Sequence, residues 1–401
     1  MDVLIIGGGL SGFYCALELL KKNKNICICE KYKQIGGRVS TYKKDGYQWE
    51  MGAGRISKDH TLVLDLMKKY KQPLSPINSK IQFLDTCLEA DIFEDLIKTY
   101  FLPLENLSKD LLGSYTLREL CESIYGKEKT DSFLIRFPYR AEVNVMRADL
   151  GLESFKKEMS SYEGYFVASH GLSDLIEAMK DDFLCKGGKL FTNYNCISII
   201  DNKDSITTKF IVHKKPVILQ SKKVLCAMES EALKKISFFD KFTTLQYLKM
   251  EPLLRTYAVY DNTWFSNYTN IVTERPIRYF LPMNYEKGVA MVSYTDSCDT
   301  IKFHSILKKY GEESLGKHIQ NELKKTFDTY IPDYSLFKAH YWPHGATYWI
   351  PGNYDPVEES KKSLKPFDSE VYLVGESFSL KQAWMEGSLL QCRKLFDTYI
   401  L

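Results

Sequence analysis

The first twelve residues constrain this chain more than any other segment. Residues 1–6 form a short apolar run that reads as a buried strand. Gly7-Gly8-Gly9-Leu10-Ser11-Gly12 breaks it at once, and residues 13–20 follow with helical spacing. Strand, G-x-G-x-x-G, helix is the context in which that motif signals a bound dinucleotide. Gly7 permits the tight turn, Gly9 lets backbone N–H groups approach a pyrophosphate, and Gly12 lets helix and strand pack closely. Leu10 and Ser11 open a helix whose positive dipole end then faces the phosphates. A second apolar run, Ile26-Cys27-Ile28-Cys29, ends in Glu30, where a carboxylate can accept the ribose hydroxyls of an adenosine. The pattern predicts an α/β, Rossmann-like domain.

Gln34-Ile35-Gly36-Gly37-Arg38-Val39-Ser40-Thr41 follows directly. A phosphate contact favours Arg, whose planar fork bonds bidentately. Only 10 of the 54 basic residues are Arg, so an Arg here reads as a positional demand. Near the other terminus, Glu370-Val371-Tyr372-Leu373-Val374 reads as a strand ending in Gly375-Glu376, and Trp384-Met385-Glu386-Gly387-Ser388 opens a final helix. Lys223-Val224-Leu225-Cys226 has the pattern of a returning strand.

The G-G-R-x-x-T segment resembles the signature of the flavin-dependent amine oxidase superfamily, and the two later segments are similar to its closing elements. That resemblance implies FAD in a discontinuous domain of the glutathione-reductase type. It implies that Gly37 and Arg38 lie along the diphosphate and flavin, and that Gly375 and Glu376 bind the ribityl-phosphate side. The last helix, with Trp384 and Met385 at its start, would aim its N-terminus at the flavin pyrimidine edge, where positive dipole stabilises reduced flavin. Gly54, in Trp49-Glu50-Met51-Gly52-Ala53-Gly54-Arg55-Ile56, belongs to the superfamily's second glycine-rich stretch.

Arg55 narrows the family. Members that act on amino acids carry an Arg that grips the substrate carboxylate, so the chain resembles the L-amino acid oxidase branch, its tryptophan-oxidising members most of all. The matching segments are 50–55, 294–297, 341–345 and 384–387. The resemblance implies that Arg55 binds the carboxylate and also contacts the cofactor, and that Tyr294 assists it. Tyr139 falls near a pocket tyrosine, and Tyr348 and Trp349 lie where the superfamily walls the isoalloxazine. There is one departure. Where many members carry a lysine that hydrogen-bonds a water at flavin N5, this chain has Arg255. Arg keeps the charge but cannot lose a proton, which leaves room for an electron acceptor other than oxygen. No Cys falls between 298 and 392, where monoamine oxidases tether their flavin, so the FAD is expected to be non-covalent.

At 401 residues two domains are the natural prior. The FAD-binding domain is expected from 1–60, 162–235 and 366–401, a helical substrate region from 61–161, and a mixed-sheet substrate domain from 236–365. In the helical region, Asp91-Ile92-Phe93-Glu94-Asp95-Leu96-Ile97 has a period near 3.6. In the mixed sheet, 254–260 and 289–294 alternate as strands do. Net charge is +3 with no basic stripe, which argues against nucleic acid. No apolar run nears eighteen residues, so no membrane span is expected. The first strand leaves no room for a targeting peptide. Ten scattered cysteines, including Cys87, contain no C-x-x-C, which argues against disulfides and zinc and for a reducing cytoplasm. His340 and His344 have metal-like spacing, but Pro343 argues against a shared helix, and no metal is expected. The expected activity is oxidation of an L-amino acid with an aromatic or large apolar side chain, oxygen being the electron acceptor and a homodimer possible. The alternatives are an amine or polyamine oxidase, a flavin dehydrogenase, and an idle flavoprotein scaffold.

Overall fold

A computed structural model describes residues 1–22, 24–77, 81–84, 93–160 and 164–399. Cys87, Asp91, Ile92 and the expected domain boundary at 161/162 lie outside the described residues.

The apolar run at the start is the central strand of a parallel sheet. Val3–Ile6 pairs with Lys223–Cys226 on one side and Ile26–Cys29 on the other. Val371–Leu373 and Lys189–Phe191 complete five strands at the two edges. Val3–Ile6 and Ile26–Cys29 are buried over their whole length, as a parallel sheet covered on both faces requires. The two-residue alternation of a strand sorts their side chains. Val3, Ile5, Ile26 and Ile28 pack with the helices Leu10–Leu20, Leu172–Cys185 and Met385–Thr398. Leu4, Ile6, Cys27 and Cys29 face the other way, onto Ile199 and Phe210 of a three-stranded antiparallel sheet spanning 195–221. The molecule is thus α/β.

The second sheet has six strands, in the order Leu336–Trp349, Leu248–Val259, Val289–Asp296, Tyr279–Asn284, Asn270–Val272 and Ile81–Phe83. All neighbours are antiparallel except the last pair, which makes the sheet mixed. Its register sets Arg255 between Tyr294 and His340. The largely helical segment 93–160 covers this sheet through Phe101, Phe133, Phe137 and Phe155, packed in one core with Tyr257 and Met291.

The segment 61–161 also carries the strands Leu74–Ile77 and Ile81–Phe83, which its helical period did not announce. Ile81 and Phe83 are buried with Gln82 exposed between them. An alternation that short does not register against a helical period read over a longer window. His340 and His344 share a strand, not a helix. No helix among the described residues is long and apolar enough to cross a membrane.

Candidate active site

A cavity of about 1120 Å³ draws its wall from both sheets: the glycine turn and Glu30 on one side, Arg255, Tyr294 and Tyr348 on the other. Small-ligand pockets usually hold ~300–1,000 Å³, so this one has room for a dinucleotide and a second molecule.

The glycines divide into two kinds. A Cβ on Gly12 would lie 2.0 Å from the Gly7 carbonyl oxygen, and one on Gly7, at φ +116°, would lie 2.4 Å from that of Ala227. These two serve the packing of turn, helix and strand. A Cβ on Gly9 would come no nearer than 3.7 Å to the protein, and one on Gly375 would meet nothing within 4 Å. Both line the cavity, as does Gly37, and they leave a cradle that side chains would fill. Gly9 caps the helix Leu10–Leu20, which has no side-chain cap and no acid in its first turn. Leu10 and Ser11 line the cavity there, so the first N–H groups are open to an anion. These features fit a diphosphate.

Glu30 is fixed by backbone donors, Gly8 N–H at 2.7 Å and Tyr32 N–H at 2.9 Å. Gly8 is a residue the sequence reading missed: a Cβ there would press on Glu30 Cβ at 3.1 Å. The signal was present as a third consecutive glycine. Arg38 donates from Nη1 to Glu376 at 2.8 Å and to the Gly345 carbonyl at 3.1 Å. Glu376 also accepts from the Thr347 and Ala383 N–H groups at 3.0 and 2.8 Å. Its carboxylate therefore positions Arg38 and joins the second sheet to the loop before the last helix. Charge-assisted bonds of this kind are worth about 1.5–3 kcal/mol each.

That last helix, Met385–Thr398, has Trp384 at its N-cap and no side-chain cap. Glu386 sits in its first turn but serves another helix, accepting the Leu62 and Val63 N–H groups at 3.0 Å each. Trp384 and Met385 line the cavity, and the helix end between them and Ser388 stays open.

Arg55 lies among aromatic rings. Its Nη2 donates to the Tyr139 hydroxyl at 3.2 Å, and its guanidinium carbon lies 5.2 Å from the Tyr165 ring centre and 5.5 Å from that of Trp384. Tyr139 in turn meets Tyr294 edge-on at 6.1 Å. Arg255 lies over the Tyr294 ring at 5.5 Å, and its buried Nε finds no hydrogen-bond partner among the described residues. Gly54 lies against both Glu50 and Arg255: a Cβ there would press on Glu50 Cβ at 3.2 Å and reach ordinary contact with Arg255 Nη1 at 3.5 Å. Behind Gly54, burial pushes the Glu50 carboxyl up to about 7, although the Leu172 N–H, the Thr41 hydroxyl and the Arg255 charge pull it down.

Trp349 requires a correction. Of the two aromatic residues Tyr348 and Trp349, one reaches the cavity. Tyr348 lines it. Trp349 is fully buried in the core behind it, where its indole N–H bonds the Ser379 carbonyl at 2.9 Å.

Four carboxylates in the wall were also missed, Glu142, Glu229, Glu251 and Asp296. Glu142 accepts the Tyr348 hydroxyl at 3.3 Å. Burial pushes Asp296 up to about 7, against the pull of the Arg140 N–H and with the charge of Asp299. Burial pushes Tyr294 well up, and Asp296 and Glu142 add to it. Asp296 was findable, two residues from Tyr294 on one strand and hence on one face.

A family model described as flavin containing amine oxidoreductase matches residues 10–91 and 118–394. An L-amino-acid oxidase of Siganus canaliculatus is 21% identical over 452 aligned residues, which cover 96% of this chain and 83% of that protein. A local match to a 4,4'-diapophytoene desaturase of Staphylococcus haemolyticus (strain JCSC1435) is 40% identical over 52 residues, 13% of this chain and only 10% of that protein's length. Among solved structures, a putrescine oxidase variant from a redesign of cofactor binding superposes with a TM-score of 0.77 at 13% identity, covering 99% of this chain and 98% of that one. At that identity the likeness shows the fold alone. The family match spans most of the chain, from the start of the first helix at residue 10 through Arg38 to the last helix. The chain belongs to the flavin containing amine oxidoreductase family and takes a flavin cofactor.

Proposed function

We propose that the chain catalyses the FAD-dependent oxidative deamination of an L-amino acid. The observation that supports this most is the placement of Arg55 in the cavity wall, bonded to Tyr139, which itself packs on Tyr294. In this reading Arg55 and Tyr294 hold the substrate carboxylate, and the Tyr139 hydroxyl fixes one edge of the guanidinium. The rings of Tyr165 and Trp384 exclude water and so strengthen that ion pair. A carboxylate held at two points fixes the direction of the α-hydrogen and leaves little entropy to be lost. FAD, bound without a covalent link by Gly9, Glu30, Arg38 and the open helix ends, supplies the acceptor for a hydride from the α-carbon. The imino acid released is hydrolysed by water to a keto acid and ammonia. Tyr139 and Tyr348 give the pocket the breadth for a large side chain. Oxygen is the proposed final electron acceptor, and Arg255, in place of a lysine, keeps another acceptor open.

Arg55→Ala tests this reading. The variant leaves a substrate carboxylate unpaired in a partly desolvated site, so kcat/KM for the best L-amino acid should fall by ~10²-fold, about 3 kcal/mol. Oxidation of the matched decarboxylated amine should fall far less. Both are read from anaerobic loss of flavin absorbance, and equal losses would overturn the carboxylate role. A second reading, oxidation of an amine or polyamine, is favoured by Glu142 and Asp296, which offer a cation partners and a carboxylate none. A wild-type preference for the amine would select it.

A further inference from the structure

Glu142 and Asp296 stand in the wall of the cavity, and the proposed reaction uses neither. Asp296 is 4% exposed. Its Oδ1 accepts the Arg140 backbone N–H at 2.9 Å. Its Oδ2, also buried, makes no hydrogen bond of ordinary geometry among the described residues, although the Ala141 N–H joins that of Arg140 in pulling the carboxyl down. The short helix Arg140–Asn144 that Asp296 anchors carries Glu142, whose Oε1 accepts the Tyr348 hydroxyl. Both carboxylates raise the phenols of Tyr294 and Tyr348, so the four groups share one part of the cavity. Of the nearby cations, Arg255 lies over the Tyr294 ring at 5.5 Å in the same cavity, while Arg140 and Arg278 have carboxylate and carbonyl partners of their own. The Arg140 guanidinium bonds Asp299 and the Leu134 carbonyl. Arg278 pairs with Asp299 and donates to the Phe137 carbonyl.

A buried carboxylate oxygen without a well-placed donor carries its desolvation cost largely uncompensated. An apolar side chain delivered against it would exclude the remaining water and deepen that cost. A cation would relieve it. A long aliphatic stem could lie along Tyr139 and Tyr348 while its charged tip reached the two acids.

We propose that Glu142 and Asp296 form a subsite for a second positive charge on the substrate. Resting on the reading in which Arg55 holds the α-carboxylate, the substrate class is an L-amino acid with a cationic side chain, in place of the aromatic or apolar one that the sequence suggests. A diamine would use the same subsite without Arg55.

The test is anaerobic flavin reduction of the holoenzyme by L-lysine against L-norleucine, which lacks only the terminal ammonium, and by cadaverine against pentylamine. L-Lysine should exceed L-norleucine in kcat/KM by ~10-fold or more, and Glu142→Gln and Asp296→Asn should each lower that ratio by ~10-fold. Asp296 also caps a helix, so Glu142→Gln carries the test if Asp296→Asn does not fold. A wild-type enzyme that takes L-norleucine as well as L-lysine, or an unchanged ratio in Glu142→Gln, overturns the subsite and leaves the amino acid reading intact. Cadaverine well above pentylamine, with L-lysine inert, supports the subsite and overturns the amino acid reading. If no dication reduces the flavin or perturbs its spectrum, the subsite is overturned.

Discussion

Tyr348 and Trp349 are neighbours on one strand with opposite consequences. Trp349→Ala removes a fully buried indole and should destabilise the fold by about 3–5 kcal/mol. Tyr348→Phe loses one hydroxyl bond to Glu142 and should cost about 1 kcal/mol. Urea unfolding of the two variants checks the contrast, and similar losses would mean that the faces are misassigned. Glu50 makes a prediction about pH. Its carboxyl rises from an ordinary 4.5 to about 7 in the fold, chiefly through burial. Between those values the native state binds more protons than the unfolded one. The contribution of Glu50 is therefore greatest below the lower value and is lost as the pH rises through the higher. Glu50→Gln is uncharged throughout, so it should gain on wild type by about 3 kcal/mol between pH 5 and pH 8. A stability difference that does not change with pH would count against this. Arg38 and Arg55 were legible because each sits inside a local motif. Glu142 was not, because its place depends on Asp296 holding the Arg140 N–H across 156 residues of sequence.

At the scale of elements, the first turn combines two uses of glycine that a single motif conceals. Gly12→Ala would drive a Cβ to 2.0 Å from the Gly7 carbonyl oxygen, backbone that cannot move without displacing strand or helix. Gly9→Ala meets nothing closer than 3.7 Å, and its φ of −89° suits any residue. Gly12→Ala should therefore lose the folded state, while Gly9→Ala should keep it and lose flavin. Circular dichroism melts and flavin content of the purified variants separate the two. A Gly9→Ala protein that retains full flavin would remove this turn from the binding site. The parallel strands were readable for the same reason as the turn: Val3–Ile6 and Ile26–Cys29 are apolar runs bounded by breakers. Ile81–Phe83 was not, since three residues carry too little pattern. Glu386 was read as opening a helix at the cofactor. That its carboxylate caps the helix Thr61–Lys69, 324 residues away from Leu62, follows only from the folded chain.

In the whole molecule the cavity lies between a sheet built for a dinucleotide and a sheet that brings aromatic and charged side chains against it. That division decides how the flavin is held. A covalent link needs a nucleophile beside the ring system, and the thiols that line the cavity among the described residues are Cys29 and Cys196. Both lie at the Glu30 end of the cavity: Cys29 precedes Glu30, and the Tyr194 N–H near Cys196 bonds the Glu30 carbonyl at 2.8 Å. Burial pushes the Cys196 thiol up to about 12, and Cys29 rises further through its bond with Cys27 and burial, so neither is a thiolate near neutral pH. On the second sheet, His340 accepts the Trp49 indole N–H at 2.9 Å, which occupies its Nε2. His344 lines the cavity with Nδ1 4.0 Å from Glu229. In the proposed reading, binding rests on the open helix ends, Glu30 and Arg38, all of which would fail when the fold does. Acid precipitation of the yellow holoprotein should release intact FAD to the supernatant, identified by its absorbance and mass. Flavin that stays with the precipitated polypeptide would contradict this, and His344 would be the first residue to replace.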